Sequence, residues 1–242
     1  MTKLSVNLNK IALLRNSRGR DYPSVVGFAE KLIALGVQGI TVHPRPDERH
    51  ITKKDAYDLA DFLSGQPTVE YNIEGYPSDD FLSLVHELKP TQCTLVPDSP
   101  DQLTSDHGWN LNEQSDYLLS ICSNLNAKGI RSALFLDPDV AQVRLVPKTE
   151  AQRIELYTEA YAHSYNKVEH KEIFAPYKLA SKEAEALGIG VNAGHDLDLE
   201  NLRMFLTIDN ILEVSIGHAL TIESIEQGME TVIKQYLKIC HR

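Results

Sequence analysis

The sequence predicts an α/β protein, a (β/α)8 TIM barrel with extra helices. Three observations carry that expectation. Short β-branched runs alternate with longer amphipathic runs about eight times along 242 residues. Strands alternating with helices imply parallel βαβ units whose crossovers cover the sheet, and eight such units in roughly 250 residues is barrel arithmetic. No Pro/Gly/Ser linker interrupts the alternation, so residues 1–242 read as one TIM-barrel domain. A doubly wound open sheet is the main rival. It often carries a Gly-rich turn after its first strand, where this chain has Asn9-Lys10-Ile11.

The first predicted strand is Leu4 to Asn9. A helical pattern follows Pro23-Ser24 and ends at Gly36, with Pro and Gly as the expected punctuation. The second strand, Gly39 to His43, precedes a helix that opens after Thr52 and stops at Gly65. The third strand is Thr68 to Asn72, with a helix from Ser78 to Pro90. The fourth, Gln92 to Val96, is followed by a loop and a helix from Glu113 to Ala127. The fifth, Ser132 to Leu136, leads into a short helix that Pro147 interrupts. The sixth is Arg153 to Tyr157, with a long helix from Lys171 to Leu187. Between them, Asn166 to Pro176 reads as a polar insert. The seventh is Ile189 to Asn192, with a helix from Leu199 to Leu206. The eighth is Leu212 to Ile216, and a last helix spans Ile222 to Ile239.

A net charge of −10 argues against a general nucleic-acid binder, which needs a basic footprint. Three widely spaced cysteines, Cys93, Cys122 and Cys240, suit a reducing compartment better than a disulfide framework. No stretch approaches the ~18 apolar residues of a membrane span. The N-terminus does not read as a signal peptide. The expectation is a cytoplasmic protein with neither membrane nor nucleic-acid partner.

Barrel chemistry sits at the C-terminal strand ends. The predicted ends carry Asn7, Asn9 and Lys10, then His43 and Arg45, Glu70, Asp137, Glu155, Asn192 to His195, and Gly217-His218. Such residues are costly to bury without partners. Singly they have ordinary structural readings: Glu70 as the partner of a structural Lys or Arg, Arg18 in a solvated loop, His218 as a solvated helix opener. Together they form a pocket with acid, base and anion-binding capacity. Gly194 and Gly217 follow strands seven and eight, where barrels often bind phosphate through backbone N–H groups. There is no HExxH or strand-one His-x-His that would mark a metal-dependent hydrolase. Lys10, one residue past the strand, leaves a Schiff-base aldolase as an alternative. A sugar-phosphate isomerase, or a degenerate barrel that only binds phosphorylated metabolites, also stays open.

The chain resembles the pyridoxine 5′-phosphate synthase family along essentially its whole length. The resemblance rests on Val6-Asn7, Leu14-Arg15-Asn16, Gly39 to Arg45, Arg49 to Thr52, Val69-Glu70, Leu95-Val96-Pro97, Val191 to His195 and Ile216 to Ala219. It implies condensation of 3-amino-2-oxopropyl phosphate with 1-deoxy-D-xylulose 5-phosphate, without metal or organic cofactor, by a homo-octamer built from dimers. Carried over by residue, it implies proton acceptors at His43 and Glu70, a proton donor at His195 and a transition-state-stabilising carboxylate at Glu155. Asn7, Arg18, Gly194, Gly217 and His218 match the aminoketone phosphate site. Arg45, His50 and Thr104 match the deoxyxylulose phosphate site, with Asn9 and Lys10 at two further positions. Many relatives carry Asp-His where this chain has Asn9-Lys10; the change removes a carboxylate and replaces an imidazole with an amine.

Overall fold

A computed structural model describes residues 1–98, 102 and 105–241. Eight parallel strands close into a barrel in sequence order. They are β1 (Lys3–Asn7), β2 (Gly39–Val42), β3 (Glu70–Gly75), β4 (Gln92–Leu95), β5 (Arg131–Leu136), β6 (Arg153–Tyr157), β7 (Gly190–Gly194) and β8 (Ile211–Ile216). Between β1 and β2 lie α1 (Asn9–Asn16) and α2 (Val25–Ala34). Then come α3 (Lys53–Ser64), α4 (Asp79–Leu88), α5 (Leu111–Ala127) and α6 (Val140–Val143). Two helices, α7 (Glu159–Ser164) and α8 (His170–Ala186), separate β6 from β7, and α9 (Leu202–Phe205) precedes β8. The chain ends in α10 (His218–Gln227) and α11 (Met229–Cys240).

Local chemistry sets the helix starts. The Ser24 and Ser78 side chains accept backbone N–H groups at the starts of α2 and α4. Thr52 and Asp55 form a capping box at α3.

The strands are amphipathic in an unusual sense. Leu4, Val6, Ile73, Ile154, Leu156 and Val214 alternate with polar residues and are buried in the main apolar cluster with helix residues such as Leu32, Leu59 and Ile233. The intervening polar residues face inward and bond across the barrel. Ser5 Oγ lies 2.8 Å from Thr41 Oγ1, and Thr94 donates to Asn72 at 3.0 Å. Asn192 donates to Gln92 at 3.4 Å, joining strands that are not neighbours. The apolar core is therefore the layer between sheet and helices, while hydrogen-bonded polar groups fill the barrel itself.

At the N-terminal end, Lys3, Glu70, Arg131 and Arg153 each open a strand. Glu70 accepts from both Lys3 and Arg131. At the opposite end a small apolar cluster of Val96, Phe135 and Tyr157 lines the mouth.

Several boundaries differ from the sequence expectations. The first strand stops at Asn7, and Asn9 and Lys10 open α1, which is too short and too weakly patterned to announce itself. The third strand starts two residues later and ends three residues later than expected, at Glu70–Gly75 in place of Thr68 to Asn72. The expected last helix is two helices, split where Gly228 adopts φ +85°. The expected polar insert contributes the front of α8, with Pro176 inside that helix.

Candidate active site

The mouth is assembled from the C-terminal ends of the strands. Asn7 closes β1, and its Oδ1 accepts the Asn9 N–H at 2.9 Å. Asn9 Oδ1 in turn accepts the His43 N–H at 3.0 Å. A carboxamide oxygen thus holds the main chain of His43 as a carboxylate would, without adding charge. Opposite Asn7, Gly217 lets β8 approach: a Cβ there would lie 3.0 Å from Asn7 Cβ and 3.2 Å from its carbonyl oxygen. The next residue, His218, is exposed and opens α10, a ten-residue helix whose first N–H groups lack intrahelical partners.

His43 is buried, and its ring stands edge-on to His50 with centroids 6.4 Å apart. Burial, then the charge of Arg45, holds the His43 pKa well below the usual histidine value. Burial does the same to His50, to about 4, helped by Arg45, Arg49 and Lys10. Both rings are therefore neutral near pH 7. His50 Nδ1 accepts the Ile51 N–H at 2.9 Å, which leaves the proton of the neutral ring on Nε2.

The backbone carrying His50 is clamped from α1. Arg15 pairs with Asp55, and Asn16 Nδ2 donates to the His50 carbonyl at 2.8 Å. Arg15 and Asn16 together thus fix the main chain that carries His50.

Arg45 is buried. It donates to Asp98 Oδ2 and, at 2.8 Å, to the Gln102 carbonyl. Asp98 was not a sequence candidate.

Glu155 is 4% exposed, with no partner for Oε2 among the described residues. Burial, then the charge of Glu213, pushes its pKa up to about 8. Gly194 makes room for it: a Cβ there would lie 2.5 Å from Glu155 Oε1. His195 follows with φ +85°, its ring between Phe135 (5.7 Å) and Tyr157 (5.1 Å). Thr158 Oγ1 donates to the Gly194 carbonyl at 2.7 Å and secures this turn. Burial lowers the His195 pKa, opposed by the charges of Asp196, Glu159 and Asp98.

One catalytic expectation is corrected. Glu70 does not reach the mouth. It begins β3, pairs in register with Gly39 at the start of β2, and is neutralised by Lys3 and Arg131 on the barrel floor. These cations hold its carboxyl below the ordinary range against the opposing effect of burial.

The carboxylate that β3 delivers to the mouth is Glu74, one residue before the strand's last. It is partly exposed. Burial, then the charges of Glu155, Asp98 and Glu213, keeps its pKa well above normal. Its signal was present in the sequence: Glu70, Asn72 and Glu74 share one strand face, and Glu74-Gly75 ends it.

The other binding expectations divide. Arg18 is exposed on the turn after α1, and among the described residues no side-chain contact ties it to the mouth. Thr104 lies outside the described residues. Lys10 is on α1 and not on a barrel strand, so it does not supply the desolvated amine a Schiff-base aldolase needs. Among the described residues no group of three or more His, Cys, Asp or Glu is placed to hold a metal ion.

The raised Glu155 pKa makes a stability prediction. Between about 4.5 and about 8 the folded state keeps a proton that the unfolded chain releases. This contribution therefore lowers stability as pH rises through that window. Relative to Glu155→Gln, the wild-type thermal midpoint should fall steadily from about pH 5 to about pH 8. A difference in midpoint that stays constant across that range would remove the assignment.

Residues 4–242 match the family model described as pyridoxal phosphate biosynthesis protein PdxJ. The chain belongs to this family. Relatives named pyridoxine 5′-phosphate synthase include one from Parabacteroides distasonis, 49% identical and covering 99% of each chain. Another, from Bacteroides fragilis, is 49% identical over the full length of both chains. One from Leptospira biflexa is 48% identical over 99% of this chain and 97% of its own. Among solved structures, the Amycolatopsis orientalis BexX/CysO complex matches with TM-score 0.65 at 15% identity, covering 99% of this chain and 88% of that one. Phosphoribosyl anthranilate isomerase from Thermotoga maritima matches with TM-score 0.59 at 13% identity, covering 100% and 99%. These two show the shared barrel.

Proposed function

We propose that this member of the PdxJ family is a pyridoxine 5′-phosphate synthase. It condenses 3-amino-2-oxopropyl phosphate with 1-deoxy-D-xylulose 5-phosphate, releasing inorganic phosphate and water. The observation that supports the reading best is the gathering of imidazoles and carboxyls with shifted proton affinities around one mouth.

Condensing an amine with a ketone, losing water and phosphate, and closing a ring demand repeated proton removal and return at neutral pH. A neutral His43 accepts protons. Glu74 takes over the acceptor role that the family resemblance had laid on Glu70. His195, on its rigid turn, protonates the departing group, and Glu155 stabilises charge that develops beside it. Gly194, Gly217 and the first N–H groups of α10 hold the aminoketone phosphate, with Asn7 and His218 at its edge. Arg45, His50 and Lys10 serve the ketose phosphate. Arg18 and Thr104 stay in this proposal on the resemblance alone.

A homo-octamer and a cytoplasmic location belong to the same reading. Exposed Leu13, Leu14, Ile222 and Ile225 on α1 and α10 support self-association, and three buried free cysteines suit a reducing compartment. Among the described residues no helix is long and apolar enough to cross a membrane.

The test is product formation by purified protein with both substrates and a chelator. The product is followed by fluorescence alongside free phosphate. The expected result is that both appear together and neither appears with one substrate omitted. Turnover of the ketose phosphate alone would turn the reading toward an isomerase or aldolase.

A further inference from the structure

Asp98 stands just past β4, 3% exposed. Its Oδ2 is fully engaged, accepting from Arg45 and, at 2.8 Å, from Ser105 Oγ. Its Oδ1 is buried, with no partner among the described residues. Leaving a charged acceptor unpaired in a protein interior is expensive, and supplying a donor recovers that cost. Asp98 is among the residues that line a cavity of about 150 Å³, with His43, Arg45 and Tyr76. A donor carried by a ligand in that cavity is the natural partner.

We propose that Asp98 is a specificity-determining residue. Its Oδ1 accepts a hydrogen bond from a secondary hydroxyl of the phosphorylated ketose, while its Oδ2 holds Arg45 in place. The inference rests on the synthase reading above.

Three chemical points select the ketose hydroxyl. A phosphate oxygen would be repelled by the carboxylate. The aminoketone's nitrogen must stay unprotonated to attack a carbonyl, and a buried carboxylate beside it would hold it as ammonium. The aminoketone phosphate is also assigned to β7 and β8, and β4 lies four strands from β8 around the closed barrel. The cavity's remaining wall includes Pro44, Tyr76 and Phe81, an apolar surface suited to the ketose's terminal methyl. The charge of Asp98 also reaches Glu74 and His195, raising the proton affinity of both.

Asp98→Asn is the direct test. Arg45 and Ser105 both donate to one oxygen, so they fix the amide's orientation and turn its NH2 toward the ligand, a donor where an acceptor is required. Affinity for 1-deoxy-D-xylulose 5-phosphate should fall roughly 10- to 100-fold, the range for a hydrogen bond to a charged group. Affinity for inorganic phosphate and the KM for the aminoketone phosphate should stay within about two-fold of wild type.

An equal loss of phosphate affinity would overturn the proposal, leaving Asp98 as an anchor for Arg45 only. Tighter phosphate binding would overturn it by making Asp98 a competitor for Arg45. A raised KM for the aminoketone, or no change at all, would also overturn it. If Asp98→Asn does not fold, wild-type binding decides. One of the 3-deoxy and 4-deoxy ketose phosphate analogues should bind roughly 10- to 100-fold more weakly than the parent. Parent-like binding by both would end the proposal. Failure of the wild type to form product from the two substrates would instead strike the synthase reading itself.

Discussion

Glu74→Gln is expected to lower kcat by roughly 10²- to 10⁴-fold, the range for losing a positioned general base. The amide keeps the side chain's size and can still accept from Asn72, which lies 3.4 Å from Glu74 Oε1. It cannot take up a proton. Removing one member of a cluster of carboxyls also relieves repulsion, so the thermal midpoint should hold or rise.

Glu70→Gln is expected to do the reverse. It leaves Lys3 and Arg131 at the barrel floor with a neutral partner. The Glu70 side chain is 13% exposed and Lys3 43%, so the loss belongs below the range for a fully buried pair, at about 1–3 kcal/mol. For a chain of this size that is a fall of about 3–10 °C in the midpoint. Turnover should remain within several-fold of wild type. Measuring kcat and the midpoint for both variants gives a crossed pattern. Loss of turnover in Glu70→Gln at an unchanged midpoint would return the base to Glu70.

Gly194→Ala is the second large effect. This glycine's φ lies outside the left-handed region, so alanine brings no backbone strain and the substitution isolates a steric effect. Its Cβ would meet Glu155 Oε1 at 2.5 Å and the Ser215 carbonyl oxygen at 3.3 Å. Glu155 is buried and bounded by its own strand, so either its carboxyl moves or the β7–β8 pairing opens. Overpacking of this kind costs about 1–3 kcal/mol.

His195 comes directly after Gly194, so displacement of the turn also moves the proposed acid. A shift of about 1 Å in such a group costs on the order of 10²-fold in rate. Turnover should fall by about that factor, with a lower midpoint. Adding Glu155→Asp, which shortens the obstructing side chain, should restore much of the midpoint and little of the turnover. Near wild-type turnover in Gly194→Ala would show that Glu155 and His195 need not be held where the structure places them.

The repeated change of hydrophobic period was enough to count eight units, because a strand against a helix layer and a helix against a strand layer each leave a regular apolar trace. The strand-end residues His43, Glu155, Gly194-His195 and Gly217-His218 were legible for the same reason. They are polar or small where packing alone would call for Val, Ile or Leu.

Period 2 has a blind spot, and Glu70 fell into it. Glu70 and Glu74 lie on the same face of β3, so alternation assigns both to the barrel interior and cannot tell floor from mouth. Only the register of β3 against β2 and β4 sets Glu70 beside Gly39 and Glu74 beside Thr94. Asp98 was silent for a different reason. A carboxylate in a loop looks solvated until Arg45, 53 positions earlier in the chain, is found against it. The local amino-acid pattern determined which segments are strands and helices and which strand ends are polar. The depth of each polar group in the barrel, its ionic partner and hence its proton affinity came from tertiary structure, because they depend on neighbours that sequence distance does not encode.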